Sequence, residues 1–196
     1  MIQIVLATTN DAKAREFVGI LGETVDIIVP GDLPFVAEDG ETLLENAYKK
    51  ARSAADHLGY EALADDSGLF VDALGGSPGV HSARFAGPDS DDAANRSKLL
   101  AMLEDIGDRT AHFETVLCLC APGAALKDSQ YFEGRCEGRI IGREKGAHGF
   151  GYDPIFVPSE GDGRTFGEMT ANEKSELSHR SKAISRLKDF LLETAG

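Results

Sequence analysis

The chain has 196 residues, which suits one domain, or two lobes that share a core, rather than several independent domains. Hydrophobic residues make up 42% and charged residues 27%, enough for a substantial core and unlike a disordered chain. Because 33 acidic residues face 20 Lys and Arg, the formal charge of -13 argues against binding to nucleic acid or to anionic membranes.

The three cysteines, Cys118, Cys120 and Cys136, are odd in number, and two of them lie in an apolar run, so they do not predict a disulfide framework. We expect buried thiols in a reducing compartment. The first residues lack the basic start and the apolar run of a signal peptide, and no stretch approaches the roughly 20 apolar residues of a membrane span. These features predict a soluble, cytoplasmic protein.

The first half of the chain alternates predicted strands with predicted helices. Apolar, β-branched runs indicate strands, and apolar residues three or four apart indicate helices. Phe17, Val18 and Leu21 form one such helical face, and Thr42 with Glu45 forms a capping box that opens a second helix. The predicted strands cover 2–7, 25–29, 62–66 and 69–73, and the predicted helices cover 13–21 and 42–58, the second with a buried face of Leu44, Ala47, Ala51, Ala54 and Leu58.

The second half is richer in predicted strands. A turn with Pro122 and Gly123 between two apolar runs indicates a hairpin. No repeat or linker interrupts the chain, so the order of elements predicts a single domain over 1–196 of the α/β class, with a mixed sheet flanked by helices and two lobes with a cleft. The predicted helices here cover 90–106 and 175–192, and the predicted strands cover 111–121, 130–137, 139–142 and 155–157.

A candidate anion site lies where the first predicted strand turns into the first predicted helix. A helix start presents unpaired N–H groups and the positive end of the helix dipole, and Lys13 adds a charge, so this turn could cradle phosphates. It lacks the glycines and the Gly-Lys-Ser/Thr ending of a Walker loop. Alternatively, Asn10 is an ordinary helix cap and Lys13 a solvated side chain. The residues of the turn are Thr8, Thr9, Asn10, Asp11, Ala12 and Lys13.

Two adjacent acids, Asp65 and Asp66, end a predicted apolar strand before Ser67 and Gly68. Side chains alternate along a strand, so one carboxylate could face a cleft while the other braces the scaffold. An acid in this position suits the binding of Mg²⁺ or the activation of water. The alternative is a simple turn, which Asp-Ser-Gly also favours. Glu38, in an acidic loop, offers a further oxygen ligand.

Two segments of the second half are candidates for ligand contact. Phe150 lies between glycines, so its ring could remain open as a stacking platform for a base, with Asp153 as a hydrogen-bond acceptor. Lys174, His179 and Arg180 form a basic patch near the start of the last predicted helix, where cations oppose the helix dipole unless a ligand offsets them. The alternatives are a tight loop whose aromatic residues fill the core and a solvated helix face.

The motifs follow one another in an order that covers nearly the whole chain. They are LATTNxxK from residue 6, Glu38, ETLLENAxxKA from residue 41, ADDSGL from residue 64, LGGxPGVHSAR from residue 74, GFGYDPIFVP from residue 149 and EKxxxSHR from residue 173. Together they resemble the inosine triphosphate pyrophosphatase family, whose members act on purine nucleoside triphosphates that carry a wrong base.

The resemblance implies an elongated α/β fold with a cleft between two lobes, usually as a homodimer. It implies Mg²⁺-dependent hydrolysis of ITP, dITP or XTP between the α- and β-phosphates, which releases the monophosphate and pyrophosphate and cleanses the nucleotide pool. The partner would therefore be a small-molecule purine nucleoside triphosphate, and neither nucleic acid nor membrane.

The resemblance also implies roles for residues of this chain. Asp66 would be the catalytic acid and a metal ligand, and Glu38 the other metal-binding position. Thr9 departs from the Gly or Ser of many members, and Ala12 is also variable. The substrate contacts would come from Thr8, Thr9, Asn10, Asp11, Ala12 and Lys13 for the triphosphate, Ser67, Phe150, Gly151, Tyr152 and Asp153 around the base and sugar, and Lys174, His179 and Arg180 for reading the base.

These roles suggest how the base is selected. Lys174, His179 and Arg180 could donate to O6 and N7 of a 6-oxo purine, whereas adenine would leave such donors unpaired, at a cost of about 1–3 kcal/mol each. The alternatives are a nucleotide sensor without turnover and a pyrophosphatase for another modified base. Glu38 and Asp66 argue against a sensor, which gains nothing from an acid that activates water.

Overall fold

The computed structural model describes residues 2–22, 25–89 and 91–194. Over these ranges the chain forms seven strands and five α-helices. The strands are β1 (Ile2–Leu6), β2 (Val25–Ile28), β3 (Ala62–Val71), β4 (Pro78–Gly79), β5 (Thr110–Cys120), β6 (Gln130–Ile140) and β7 (Phe156–Pro158). The helices are α1 (Asp11–Leu21), α2 (Leu43–Leu58), α3 (Asp92–Met102), α4 (Ala171–Leu177) and α5 (His179–Thr194). Among these helices none is long and apolar enough to cross a membrane.

The strands of the described ranges pair into one seven-stranded sheet in the order β2-β1-β3-β5-β6-β7, with β4 paired to β3. β1 lies parallel to both β2 and β3, with Ile4 opposite Ile27 and Val5 opposite Ala62. β3 and β4 are antiparallel, and so are β6 and β7. The presence of parallel and antiparallel pairs in one sheet confirms the predicted mixed α/β class.

The chain divides into two compact units. The first unit comprises the described residues of Met1–Asp66, Thr115–Gly134 and Arg180–Gly196, and the second unit comprises those of Ser67–Glu114 and Arg135–His179. The boundaries fall within β3, β5 and β6, so each of these strands contributes residues to both units. Each unit has its own hydrophobic core.

The first unit packs apolar side chains from alternate positions of β1 into different clusters. Ile4 and Leu6 belong to a buried cluster with residues of α1 and α5, whereas Val5 belongs to a cluster with residues of α2. A parallel strand covered on both faces needs an apolar residue at successive positions, which explains the uninterrupted apolar run of β1. Cys118 and Cys120 lie in the α2 cluster as buried free thiols, which confirms that prediction.

The second unit has an aromatic-rich core. The rings of Phe113 in β5 and Phe156 in β7 pack edge to face with centroids 4.7 Å apart. The ring centroids of Phe156 and Phe166 are 5.3 Å apart. Leu99 of α3 is buried in the same cluster, together with Ile140 at the end of β6. The loop between β6 and β7, which carries the predicted base-contacting residues, therefore starts and ends on this core.

One predicted break in a strand is wrong, because β3 continues through Ser67 and Gly68. A Cβ atom at residue 68 would lie 2.5 Å from the carbonyl oxygen of Gly79 in β4, so this glycine permits two strands to approach closely and does not form a turn. Asp65 and Asp66 consequently lie within a strand and not at its end.

The last predicted helix is wrong as a single element, since two helices occupy its place. Thr170 and Glu173 form a capping box that starts α4, and Ser178 is extended (φ -70°, ψ 151°) between α4 and α5. Leu177 packs in the core of the second unit, whereas Ile184 is buried in the first. Apolar residues at helical spacing therefore belong to two helices with different environments.

Other predicted boundaries also differ. The third predicted helix begins at Ser90, which lies outside the described residues, and α3 ends four residues before the predicted end. Arg109 donates to the carbonyl oxygens of Leu103 and Ile106 at 2.7 and 3.1 Å and stabilises the turn that follows α3. The two strands predicted on either side of Gly138 are one strand, β6.

Two predicted helix faces are slightly rotated. In α1, Phe17 and Leu21 are fully buried, but Val18 is 49% exposed. In α2, Leu43 is buried and Leu44, which was predicted to be buried, is only half-buried. The buried face also includes the polar residue Asn46. The polar member of that face belongs to the candidate site.

Candidate active site

The turn between β1 and α1 places Lys13 next to a buried acid. Asn10 caps the helix, with its Oδ1 accepting from the backbone N–H groups of Ala12 at 2.9 Å and Lys13 at 3.1 Å. Thr8 Oγ1 accepts from the N–H of Asn10 at 3.1 Å. The interpretation of Asn10 as a cap is confirmed, but Lys13 is not simply solvated, because its Nζ lies 2.9 Å from Asp65 Oδ2.

Asp65 is a buried anion held by basic side chains. Its carboxyl group is only 2% exposed, and its Oδ2 lies close to both Lys13 Nζ and Arg180 Nε. Burial alone would raise the pKa of Asp65, but the positive charges of Lys13, Arg180 and Lys50 outweigh it and hold the pKa well below its ordinary value. Asp65 therefore stays ionised and braces the basic residues around it.

Arg180, predicted to read the base, is bound by two acids of the first unit. Its Nη1 lies 2.5 Å from Glu16 Oε2 and its Nε 3.4 Å from Asp65 Oδ2, and its side chain is 2% exposed. Burial would lower the pKa of Arg180, but Asp65 and Glu16 raise it above the ordinary value, so the guanidinium remains charged. Sequence analysis did not identify Glu16, which has no distinguishing neighbour in the chain.

Asp66 faces a different set of partners, as the alternation of side chains along a strand predicts. Its Oδ1 lies 3.0 Å from Lys50 Nζ, which also lies 2.8 Å from Glu38 Oε1. Burial raises the pKa of Asp66, Lys50 opposes this effect, and the negative charge of Glu38 adds to it, so the net shift is upward. A carboxyl group that holds its proton more tightly than an exposed aspartate suits proton uptake from water.

The fully buried Asn46 connects the two candidate metal ligands. Its Nδ2 donates to Asp66 Oδ2 at 3.1 Å, and its Oδ1 accepts from the backbone N–H of Gly40 at 2.8 Å. One carboxamide therefore orients Asp66 and fixes the loop that carries Glu38. Sequence analysis missed Asn46 and Lys50 as site residues, although their i,i+4 spacing within the motif ETLLENAxxKA indicates a common helix face.

Glu38 and Asp66 could together hold a divalent cation. In the part of the chain that the structure describes, no group of three or more His, Cys, Asp or Glu side chains forms a ready-made metal cluster. Mg²⁺ does not need one, because it binds through one or two carboxylates and keeps water or phosphate oxygens as its other ligands. Since Glu38 and Asp66 already converge on one positive group, the ammonium of Lys50, their oxygen donors fit the metal.

The glycine-flanked loop of the second unit is arranged around Asp153. Oδ2 of this buried acid accepts from the backbone N–H of Phe150 at 2.9 Å and from Lys174 Nζ at 2.7 Å. Gly149 has φ +75°, and a Cβ atom there would lie 2.0 Å from Asp153 Oδ2, so the arrangement requires glycine. Phe150 is half-buried, with Lys174 Nζ 4.7 Å from its ring centroid. The structure thus brings together three residues that were assigned to the base.

Lys174 lies in the last turn of α4 and not near a helix start. A positive charge is favourable at a helix C-terminus, so the expected conflict with the helix dipole is wrong for this residue. His179 and Arg180 do begin α5. The conflict therefore persists for the Arg180 guanidinium, and the acids around it, Asp65 and Glu16, offset it.

The remaining predicted residues lie in varied environments. His179 is buried and its ring stacks on Phe113 with centroids 4.6 Å apart. Tyr152 is also buried, and its hydroxyl donates to the carbonyl oxygen of Ser82 at 2.8 Å, so it serves the core as the alternative interpretation of this loop predicted. Among the others, Thr9 and Asp11 are exposed and Ser67 is half-buried.

The predicted site residues divide between the two units. Within the first unit lie residues 8–13, Glu38, Asp66 and Arg180, and within the second lie Ser67, Phe150, Gly151, Tyr152, Asp153, Lys174 and His179. The first set contains the paired acids and ammonium groups suited to phosphate and metal, and the second contains the aromatic ring and the donors suited to a base.

A sequence model of the Ham1 family matches residues 4–190 of the chain. The chain belongs to the Ham1 family. Two bacterial relatives are named dITP/XTP pyrophosphatase. The relative from Syntrophobacter fumaroxidans is 50% identical over 189 residues, which cover 94% of this chain and 79% of the relative. The relative from Geobacter sulfurreducens is 45% identical over 197 residues, which cover 97% of each.

Solved structures of Ham1 proteins share the fold. The HAM1 protein from Coxiella burnetii superposes with a TM-score of 0.89 at 40% identity, covering 98% of this chain and all of the other (100%). The nucleoside-triphosphatase, or dITP/XTP pyrophosphatase, from Mycobacterium abscessus gives a TM-score of 0.74 at 42% identity. The superposition covers 95% of this chain and 98% of the other.

Membership of the Ham1 family confirms the resemblance found in the motifs and the α/β fold class. It also confirms the prediction of an enzyme, a nucleoside triphosphate pyrophosphatase, over that of a sensor without turnover.

Proposed function

We propose that this Ham1-family protein hydrolyses ITP, dITP and XTP to the monophosphate and pyrophosphate with Mg²⁺ bound. The names of its relatives support dITP and XTP as substrates. The observation that carries the proposal is the environment of Asp66, a buried carboxyl group with a raised pKa that Asn46 orients and that shares the Lys50 ammonium with Glu38.

In this proposal Glu38 and Asp66 hold the metal ion, which when bound neutralises phosphate charge and helps to orient the triphosphate. Asp66 accepts the proton of the attacking water, a role that the upward shift of its pKa on burial favours. Asn46 keeps one carboxylate oxygen in a hydrogen bond and thereby fixes the direction in which the other oxygen points.

Lys13 and Lys50 provide the positive charge that a triphosphate needs in a chain with a net charge of -13. Each ammonium group is already paired with buried acids, Lys13 with Asp65 and Lys50 with Asp66. Because these pairs restrict both side chains before the substrate arrives, little conformational entropy is lost on binding.

We assign the base to Phe150, Asp153, Lys174 and His179, with Arg180 as a further donor. A 6-oxo purine accepts hydrogen bonds at O6, where adenine presents a donor, so lysine and histidine donors favour the former. We further propose a cytoplasmic homodimer, as the family resemblance implies. The acidic net charge supports the proposal that neither nucleic acid nor an anionic membrane is a partner.

The proposal is tested by initial rates of pyrophosphate release from ITP, dITP, XTP, ATP and GTP, with and without Mg²⁺. We expect turnover of the first three substrates only when Mg²⁺ is present. Equal rates with ATP would remove the claim of base selection, and turnover without any divalent cation would remove the role of the metal.

We predict that Lys13→Ala raises KM for the triphosphate about tenfold or more, because hydrogen bonds to charged groups contribute about 1.5–3 kcal/mol. Steady-state kinetics with dITP measures this effect. The matched control is Arg15→Ala on the same helix, whose exposed side chain donates to the carbonyl oxygen of Asp11 at 3.1 Å. An unchanged KM for Lys13→Ala would contradict the assignment of the triphosphate to this turn.

A further inference from the structure

Both backbone groups of Gly151, within the base-contacting loop, are bound by side chains of one helix. The Gly151 N–H donates to Asp92 Oδ2 at 2.6 Å, and its carbonyl oxygen accepts from Arg96 Nη1 at 2.8 Å. Asp92 and Arg96 are four residues apart on α3, so they lie on the same helix face. Together they hold a single residue of the loop from one side.

Arg96 also fixes the beginning of this loop. Its Nε donates to Glu144 Oε1 at 2.8 Å, and its side chain is only 13% exposed. The planar guanidinium presents its donors in a fixed geometry, so the same group sets the position of Glu144 relative to Gly151. Lysine, with a single ammonium nitrogen, cannot reproduce both contacts in this geometry.

The loop requires such support because of its glycines. Gly149 and Gly151 have φ values of +75° and +60°, and glycine adopts positive and negative φ with similar ease. Asp153 holds the backbone N–H of Phe150, and α3 holds the next residue, Gly151. Asp92, Arg96 and Phe150 also line one pocket of the second unit, together with Asp91. Release of Gly151 would therefore let the Phe150 ring move.

We infer that Asp92 and Arg96 are positioning residues that determine base selectivity by fixing Gly151 and, through it, Phe150 and Asp153. They do not contact the reacting phosphates in this assignment. The inference rests on the proposed function, since it assumes that this loop receives the base.

Removal of either side chain should weaken recognition of the base and leave chemistry intact. For Asp92→Ala and for Arg96→Ala we expect KM for dITP to rise about tenfold and kcat to change less than about twofold. This pattern indicates loss of an interaction that stabilises the bound substrate and the transition state equally. The ratio of kcat/KM for dITP to that for dATP should fall. Asp92→Asn, which keeps an acceptor oxygen, should restore most of the ratio, whereas Arg96→Lys should not.

Asp91→Ala is the matched control. Asp91 precedes Asp92 and caps α3 by accepting from the N–H of Ala94 at 2.8 Å, so its removal takes away the same charge and weakens the same helix end. Asp91 lines the same pocket, but its carboxylate caps the helix, whereas that of Asp92 holds Gly151. Removal of Asp91 should therefore leave the ratio of kcat/KM for dITP to that for dATP unchanged. Two results would overturn the inference. One is an equal fall in this ratio for Asp91→Ala and Asp92→Ala, and the other is an unchanged ratio for Asp92→Ala.

Hydrogen exchange of the Gly151 amide provides a second measurement that does not depend on turnover. We expect slow exchange in the wild-type protein, and faster exchange in Asp92→Ala than in Asp91→Ala. Fast exchange in the wild-type protein would overturn the inference even if Asp92→Ala fails to fold. Absence of dITP hydrolysis by the wild-type protein would instead refute the proposed function, and the exchange result would still report on the contact with α3.

Discussion

Asp66→Asn should lose at least about a thousandfold in pyrophosphate release while the fold remains intact. Asparagine has nearly the same shape but cannot take up a proton as a carboxylate does, and general base catalysis contributes about 10²–10⁴-fold. In the proposed mechanism Asp66 is also a metal ligand, and its loss would add to this effect. Because burial raises the pKa of Asp66, the folded protein disfavours its charge, and a neutral residue there should not lower stability.

The adjacent Asp65→Asn variant is a matched control with the opposite expectation for stability. The folded protein favours the ionised form of Asp65, whose pKa is lowered, so its neutralisation should lower the free energy of unfolding by roughly 3 kcal/mol. Urea denaturation and turnover of dITP would be measured on both variants. Wild-type turnover in Asp66→Asn, or an unfolded Asp66→Asn protein, would contradict the assignment.

Arg180→Met should lower the free energy of unfolding by about 3 kcal/mol, because removal of one member of a buried ion-pair network leaves its acidic partners with less countercharge. Arg180 contacts both Glu16 and Asp65, and its side chain is almost fully buried. Lys13 still pairs with Asp65 in the variant, which places the expected loss at the lower end for buried pairs. Urea denaturation at neutral pH measures the change.

Arg135→Met is the control for this prediction. Arg135 also pairs with a glutamate, Glu137, but both side chains are about half exposed. Exposed ion pairs contribute little, so we expect a change within about 0.5 kcal/mol. A loss below about 1 kcal/mol for Arg180→Met would show that its ion pairs do not stabilise the fold, and Arg180 would then be better explained by ligand binding alone.

Local features of the candidate site were predictable because they depend on neighbours in the chain. Asn10 caps α1 and Thr42 caps α2 at the predicted positions, since a cap needs only the following few residues. The separate partners of Asp65 and Asp66 follow from the alternation of side chains along a strand. The ordered motifs were sufficient to identify the family. Asn46 and Lys50 lie within one of these motifs, but their place in the site was not predicted.

The amino-acid sequence by itself determined the mixed α/β class, the family, and the acids, lysines and glycines from which the candidate site is built. Only the tertiary structure decided which of them pair. Arg180 contacts Asp65 and Glu16 across 115 and 164 residues of chain, and Gly68 continues a strand because Gly79 lies against it. Ion pairs and close backbone contacts depend on distances in space, whereas periodicity and capping report only on residues that are near each other in the chain.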